Sequence, residues 1–130
     1  KLRIAEQLDF LGVHYIEGGW PGANPKDIEF FARARTELSL KTSTLVAFGS
    51  TRRPMGKVDD DPTLRNLVEA ETSAVCIVAK CSAYHVEQAL QTTLDEGVAM
   101  VSDSVILKPL KPQARKALDF FFSSSSITWS

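Results

Sequence analysis

The sequence predicts an α/β fold in which helices alternate with parallel strands, and three observations support this prediction. Segments whose apolar residues recur at helical spacing alternate along the chain with short apolar segments of strand length. The strand segments are apolar on both faces, which is typical of parallel strands that are covered on both sides. The chain has 130 residues, of which 44% are hydrophobic, and this size favours one compact core over two domains.

The first predicted elements are an amphipathic helix and the strand that follows it. Ile4, Leu8 and Leu11 recur at i, i+4 and i+7, and Gly12 follows them as a C-cap. Residues 13–19 form a short strand that runs into glycines. The alternation of helix and strand therefore starts at the beginning of the sequence.

The second helix and the second strand have clear boundaries. Asn24 is an N-cap candidate and Pro25 suits the first helical position, so a helix is predicted to begin there. Residues 44–48 are apolar, and Gly49 bounds them as a strand. Residues 50–61 are polar and charged and contain proline and glycine, which predicts a loop.

A third helix and a third strand follow this loop. Asp61 and Pro62 open the helix. Its predicted buried face contains three apolar residues, Leu64, Leu67 and Val68. Residues 73–79 are a continuous apolar run of strand length. Residues 82–110 are predicted to be mostly helical, with Gly97 as a candidate break.

The end of the sequence departs from this alternation. Residues 118–122 are a candidate fourth strand, and four consecutive serines follow at 123–126. Low-complexity serine is typical of a flexible linker or tail. We therefore expect a folded domain at 1–118 and a divergent or disordered tail at 119–130.

The pattern predicts the topology only in part. Helix–strand alternation implies parallel βαβ units with right-handed crossovers. An open doubly wound sheet and a slice of a barrel both satisfy this pattern. Three or four strands are too few to close a barrel, which normally takes roughly 250 residues.

Composition argues against several classes of partner. The net charge is −1, the pI is about 6.1 and no basic stripe is present, so we expect no nucleic-acid partner. No apolar run approaches the roughly 20 residues that span a bilayer. Cys76 and Cys81 do not suggest a disulfide framework, which favours a reducing, cytoplasmic location.

The candidate site residues follow the three predicted strands, because parallel α/β folds bind ligands beyond the carboxyl ends of their strands. Glu17 lies at the end of the first strand, beside glycines that allow close approach of a ligand. Arg52 and Arg53 follow the second strand and could hold a carboxylate or phosphate through paired hydrogen bonds. Lys80 and His85 follow the third strand and suit an anionic keto substrate. Each of these residues also fits a simple role as a solvated surface group.

Metal and dinucleotide motifs are not visible in the sequence. His14 and His85 are far apart and have no nearby carboxylate motif, so they do not form a zinc signature. The glycines of residues 18–22 do not match the G-x-G-x-x-G fingerprint. We therefore predict no metal-ligating residue in this chain.

Four segments of the chain, residues 15–27, 46–54, 60–62 and 85–94, resemble the citramalate synthase branch of the isopropylmalate synthase-like family. This resemblance implies a (β/α)₈ barrel, of which the chain would supply about strands 2–5 with their helices. Residues 1–118 would then be a partial catalytic domain. The family's first-strand and later metal-binding motifs have no counterpart here, so the chain is expected to be an internal fragment that is inactive by itself.

The resemblance also implies a reaction, the condensation of acetyl-CoA with pyruvate to citramalate in isoleucine biosynthesis. The parent enzyme would be an acyltransferase and a homodimer, with a divalent metal whose ligands lie outside this chain. Glu17 would be catalytic, while Lys80, His85 and either Arg52 or Arg53 would bind substrate. Two alternatives stay open at this stage: a fragment of a 2-isopropylmalate or homocitrate synthase, and a non-catalytic α/β binding or assembly module.

Overall fold

The computed structural model describes residues 1–106, in which helices and strands alternate as predicted. The strands and α-helices are α1 Leu2–Phe10, β1 Tyr15–Gly19, α2 Pro25–Glu37, β2 Thr44–Ser50, α3 Pro62–Glu69, β3 Ala74–Val78 and α4 Leu94–Val105. A short 3₁₀ helix spans Val58–Asp60, and a π-helix spans His85–Ala89. The candidate fourth strand at 118–122 and the tail at 119–130 lie outside the described residues.

The three strands form one parallel sheet in the order β1-β2-β3. This confirms the predicted α/β class with parallel strands. Helices α2 and α3 share one hydrophobic core on the same face of the sheet. Sequential strand order with both crossover helices on one face is the arrangement of a barrel wall, whereas a doubly wound sheet reverses its order and carries helices on both faces. The sheet is therefore consistent with part of a (β/α)₈ barrel.

The predicted starts of α2 and α3 are confirmed by their capping hydrogen bonds. The Asn24 side-chain oxygen accepts from the backbone N–H of Asp27 at 3.0 Å. The Asp61 carboxylate accepts from the N–H groups of Thr63 and Leu64 at 2.9 and 3.2 Å. Each cap precedes a proline at the first helical position, so the sequence specifies both helix starts locally.

The core lies between the sheet and helices α2 and α3. Its fully or nearly fully buried members are Phe30, Phe31, Ala34, Ala47, Leu64, Leu67, Ala70 and Val75. Gly49 allows this packing, since a Cβ there would lie 2.8 Å from Cδ1 of Leu67. The helices can therefore approach the sheet closely where Leu67 crosses β2.

The buried face of α1 differs from the face predicted by its apolar spacing. Ile4 and Leu11 are 63% and 73% exposed, whereas Ala5 and Asp9 are buried. The reason is a long-range contact of the Asp9 carboxylate. It accepts hydrogen bonds from the backbone N–H groups of three consecutive residues that lead into β2: Lys41 at 2.9 Å, Thr42 at 2.8 Å and Ser43 at 2.6 Å.

The segment after β3 breaks earlier than the sequence predicted. The π-helix ends at Ala89, and Gln91 has a positive φ of 52°. Helix α4 then restarts with Thr93 as its cap, whose hydroxyl accepts from the N–H of Glu96 at 3.2 Å. The candidate break at Gly97 is wrong, because Gly97 lies within α4. There it faces Val86, whose Cγ1 would be 3.2 Å from an added Cβ.

Truncation of Leu67 to alanine is expected to destabilise the chain by about 2–5 kcal/mol, because this side chain is 1% exposed and fills the space over Gly49. Ile28→Ala is the matched control, since Ile28 is 55% exposed on α2. Urea unfolding followed by circular dichroism measures both variants. Equal losses of stability in the two variants would contradict the described core.

The loop anchor at Asp9 is expected to make stability depend on pH. Hydrogen bonds from the backbone of residues 41–43 lower the pKa of Asp9 from 3.8 to about 2. A carboxylate with a lowered pKa stabilises the fold above pH 3.8 and loses this contribution as the pH falls towards 2. Asp9→Asn should therefore lower the unfolding midpoint at pH 7 and should lose less stability than the parent chain between pH 5 and pH 2. Parallel stability curves for the two proteins would contradict this role.

Candidate functional site

The carboxyl ends of the three strands lie at one edge of the sheet. Ser50 at the end of β2 pairs with Val78 at the end of β3, and the N–H of Thr51 donates to the Val78 carbonyl at 3.2 Å. The segments that follow β2 and β3 therefore begin side by side. These segments carry Arg52 and Arg53 on one side and Lys80 on the other.

Glu17 lies deeper in the sheet than this edge. It pairs with Val46, which in turn pairs with Ala74, the first residue of β3. At 3.3 Å per residue, this level is about 13 Å below the ends of β2 and β3. The structure thus brings the basic residues to the rim and places Glu17 separately, on the sheet itself.

The side chain of Glu17 points away from the helices. In β1 the buried residues Ile16 and Gly18 alternate with exposed Tyr15 and Glu17, and a Cβ on Gly18 would clash with Phe30 of α2. We call the face of the sheet opposite helices α2 and α3 the inner face. Glu17 is an exposed carboxylate on this face.

The inner face around Glu17 is otherwise apolar. Val46, Ala74 and Cys76 are buried there, with Phe48 packed against them. Burial raises the pKa of the Cys76 thiol, and the Glu17 carboxylate adds to the shift through Coulombic repulsion of a thiolate and a hydrogen bond. Glu17 therefore lies within reach of a buried thiol that stays protonated at neutral pH.

An aromatic pair stands near the end of β1. The rings of Trp20 and Phe48 meet edge to face, with centroids 6.1 Å apart. Gly22 lets the loop that follows β1 lie against Asn66 of α3, because a side chain at Gly22 would collide with the Asn66 amide. The loop thus lies against α3 and carries Trp20, whose ring contacts Phe48 of the inner face.

The two arginines after β2 have different surroundings. Arg52 is 4% exposed, and its guanidinium forms ion pairs with Glu96 at 2.6 Å and Asp103 at 2.7 Å, both on α4. Arg53 is exposed, while its backbone N–H donates to the Asp61 carboxylate at 2.8 Å. Sequence reasoning treated the two residues as equivalent and missed both acidic partners on α4.

Lys80 and His85 are both exposed after β3. The backbone N–H of His85 donates to the Ser82 hydroxyl at 3.1 Å, and its ring lies 6.0 Å from that of Tyr84. Among residues 1–106, neither side chain contacts Glu17. Both are therefore available to a ligand at the rim, but the structure does not join them to the carboxylate in one contact network.

A separate depression lies at the opposite, amino-terminal edge of the sheet. It is lined by the ends of α2 and α3 and the starts of β2 and β3, including Leu40, Ser43, Thr44, Thr72 and Ser73. None of the candidate site residues lines it. Because ligands of parallel α/β folds bind at the carboxyl ends of the strands, the inner face and its rim are the stronger candidate.

The described residues offer neither a metal cluster nor a membrane span. Within residues 1–106, no group of three histidine, cysteine or acidic side chains is arranged to hold a metal ion. In the same range, no helix has the length and apolar content needed to cross a membrane.

The chain is similar in sequence to curated citramalate synthases. It is 53% identical to the (R)-citramalate synthase of Streptomyces coelicolor over 89% of its own length and 21% of that protein. It is 52% identical to the (R)-citramalate synthase of Aquifex aeolicus over 81% of its length and 20% of that protein. By sequence, this chain is related to the citramalate synthases. The predicted resemblance is confirmed, and no family model matches the chain.

The similarity to a second group of synthases is weaker. A 2-isopropylmalate synthase of Shouchella clausii is 31% identical over 81% of the chain and 19% of that protein. The two citramalate synthases named above are 53% and 52% identical over 89% and 81% of the chain. The chain spans about a fifth of the length of all three relatives.

The charge of Glu17 is expected to affect the reactivity of the Cys76 thiol. In a Cys81→Ser background, Glu17→Gln should shift the pH profile of Cys76 alkylation by iodoacetamide to lower pH. The reason is that a neutral amide no longer disfavours the thiolate. Glu29→Gln is the control, because Glu29 is an exposed acid on α2. Identical profiles for Glu17→Gln and its parent would contradict this electrostatic effect.

Proposed function

We propose that this chain forms one wall of the substrate pocket in an enzyme that condenses acetyl-CoA with pyruvate to citramalate. The observation that carries the proposal is the identity above 50% to two citramalate synthases over most of the chain. The arrangement of the site supports it, since a carboxylate lies on an apolar inner face and cationic side chains lie at the rim above it. The full reaction belongs to a longer protein, because the chain matches about a fifth of these relatives.

Glu17 is the residue proposed to act at the reacting centre. Condensation requires removal of a proton from the methyl group of the acetyl thioester, and a carboxylate is a suitable general base. The apolar surroundings of Val46, Ala74 and Phe48 would strengthen such a base once water is excluded.

Arg53, Lys80 and His85 are proposed to bind the anionic groups of the substrates. The carboxylate of a 2-oxo acid and the phosphates of CoA are both anions, and long basic side chains at the rim suit them. His85 could donate a hydrogen bond to a keto or carboxylate oxygen. Arg52 faces α4 instead, so it is not assigned to direct substrate contact.

A divalent metal, implied by the family resemblance, does not fit the residues described here. Within residues 1–106, no group of three histidine, cysteine or acidic side chains that includes Glu17 is arranged to hold a metal ion. No step of the proposed reaction is therefore routed through a metal bound by these residues. A homodimeric parent, implied by the resemblance, and a cytoplasmic location, favoured by the cysteine content, complete the proposal.

A chimeric enzyme tests the proposed activity. We expect the Streptomyces coelicolor citramalate synthase to retain acetyl-CoA- and pyruvate-dependent release of CoA when its matching segment is replaced by that of this chain. Glu17→Gln in the chimera should lower kcat by about 100-fold or more, as for loss of a general base. Glu29→Gln should leave kcat within about twofold, because Glu29 lies on the outer helix layer.

The substrate preference of the chimera separates the alternatives. Preference for pyruvate over 2-oxoisovalerate and 2-oxoglutarate supports the citramalate reaction. Preference for 2-oxoisovalerate would instead support the isopropylmalate synthase alternative. A folded chimera that releases no CoA with any of the three acids would favour the non-catalytic module.

A further inference from the structure

The guanidinium group of Arg52 is held between two carboxylates of α4 and a backbone carbonyl. Nε donates to the Asp103 carboxylate at 2.8 Å, and Nη2 lies 2.7 Å from the same oxygen. Nη1 donates to the Glu96 carboxylate at 2.6 Å and to the Arg53 carbonyl at 3.2 Å. Every nitrogen of this buried cation thus lies within contact distance of an oxygen acceptor of the protein.

Further hydrogen bonds tie the same loop to α4. The backbone N–H of Arg52 donates to the hydroxyl of Ser104 at 2.9 Å, and Ser104 is 1% exposed. The Ser104 hydroxyl in turn donates to the Met100 carbonyl at 2.6 Å. The N–H of Met55 donates to the Glu96 carboxylate at 2.7 Å. Residues 52–55 are therefore fixed on α4 through side chains near both ends of that helix.

The neighbouring Arg53 has the opposite arrangement. Its N–H is held by Asp61, and its carbonyl accepts from Gly56 at 3.1 Å as well as from Arg52. Its side chain is exposed at the carboxyl edge of the sheet. A fixed backbone with an unburied guanidinium is the arrangement that presents a cation to a ligand at low entropic cost.

We propose that Arg52 is a positioning residue: by binding Glu96 and Asp103 it fixes the loop on α4, so that Arg53 alone of the pair meets the anionic substrate. Helix α4 thereby helps to position the site residues that follow β2, although α4 itself follows β3 in the sequence. The assignment of substrate to Arg53 rests on the proposed function. The role of Arg52 in ordering the loop does not depend on it.

Amide hydrogen exchange on the full 130-residue chain tests the ordering role. Arg52→Lys keeps the positive charge but loses the planar guanidinium group, whose N–H donors point in fixed directions. In Arg52→Lys we expect the backbone amides of residue 52 and Met55 to exchange at least tenfold faster. In Arg53→Lys the exchange rates of the same two amides should change by less than twofold. Glu96→Gln should also accelerate exchange of the Met55 amide. Asp95→Asn is the control, because it changes an adjacent, exposed acidic residue of α4, and it should leave this rate unchanged. The Glu96 variant gives an independent answer if Arg52→Lys does not fold. Unchanged exchange in Arg52→Lys or in Glu96→Gln would overturn the proposal.

Titration with pyruvate, followed by the amide chemical shifts of residues 51–55, tests which arginine meets the ligand. Arg53→Lys should weaken binding at least fivefold with unchanged exchange, whereas Arg52→Lys should weaken it only together with faster exchange. Weaker binding in Arg52→Lys at unchanged exchange would make Arg52 a direct ligand and would overturn the proposal. If the parent chain shows no pyruvate-dependent shifts, the substrate assignment fails in this chain, and the exchange rates alone decide the role of Arg52.

Discussion

Helices α2 and α3 pack against a single face of the parallel sheet, and the position of each candidate site residue depends on this packing. Leu67 crosses β2 where Gly49 has no side chain, which lets the helix layer lie close to the strands. Because side chains alternate along a strand, burial of Ala47 and Gly18 under the helices turns Glu17 to the other face. A register slip of one residue would exchange the faces and place the Glu17 carboxylate in the apolar core.

Local patterns were enough to predict the alternation of helices and strands and the starts of α2 and α3. Asn24 and Asp61 cap helices through atoms only two or three residues away, so their effect can be read from the sequence. The face of α1 could not be read in this way. Asp9 is buried because it anchors backbone groups 32 to 34 residues further along the chain. Apolar spacing cannot show a contact of that range, and it therefore assigned Ile4 and Leu11 to the wrong environment.

The location of the candidate site residues near the strand ends could be predicted from the sequence, but the separate role of each residue could not. The rule that ligands bind at the carboxyl ends identified Glu17 and the pair Arg52–Arg53. It could not separate the arginines, because the difference between them lies in acceptors 44 and 51 residues away on α4. Nor could it show that Glu17 lies on the sheet, about 13 Å below the rim, since depth depends on the pairing of strands.

Glu17 is exposed to solvent in this chain, whereas a residue inside a closed pocket would be shielded from water. Two neighbouring groups on the inner face have different environments: the Cys76 thiol is buried and its pKa is raised, whereas the Glu17 carboxylate is exposed to water. A hydrated carboxylate is a weak base towards a carbon acid, and exclusion of water strengthens it. Any surface that covered the inner face would extend to Glu17 the low-dielectric environment that Cys76 already has. The proposed catalytic role of Glu17 therefore depends on which surface covers the inner face.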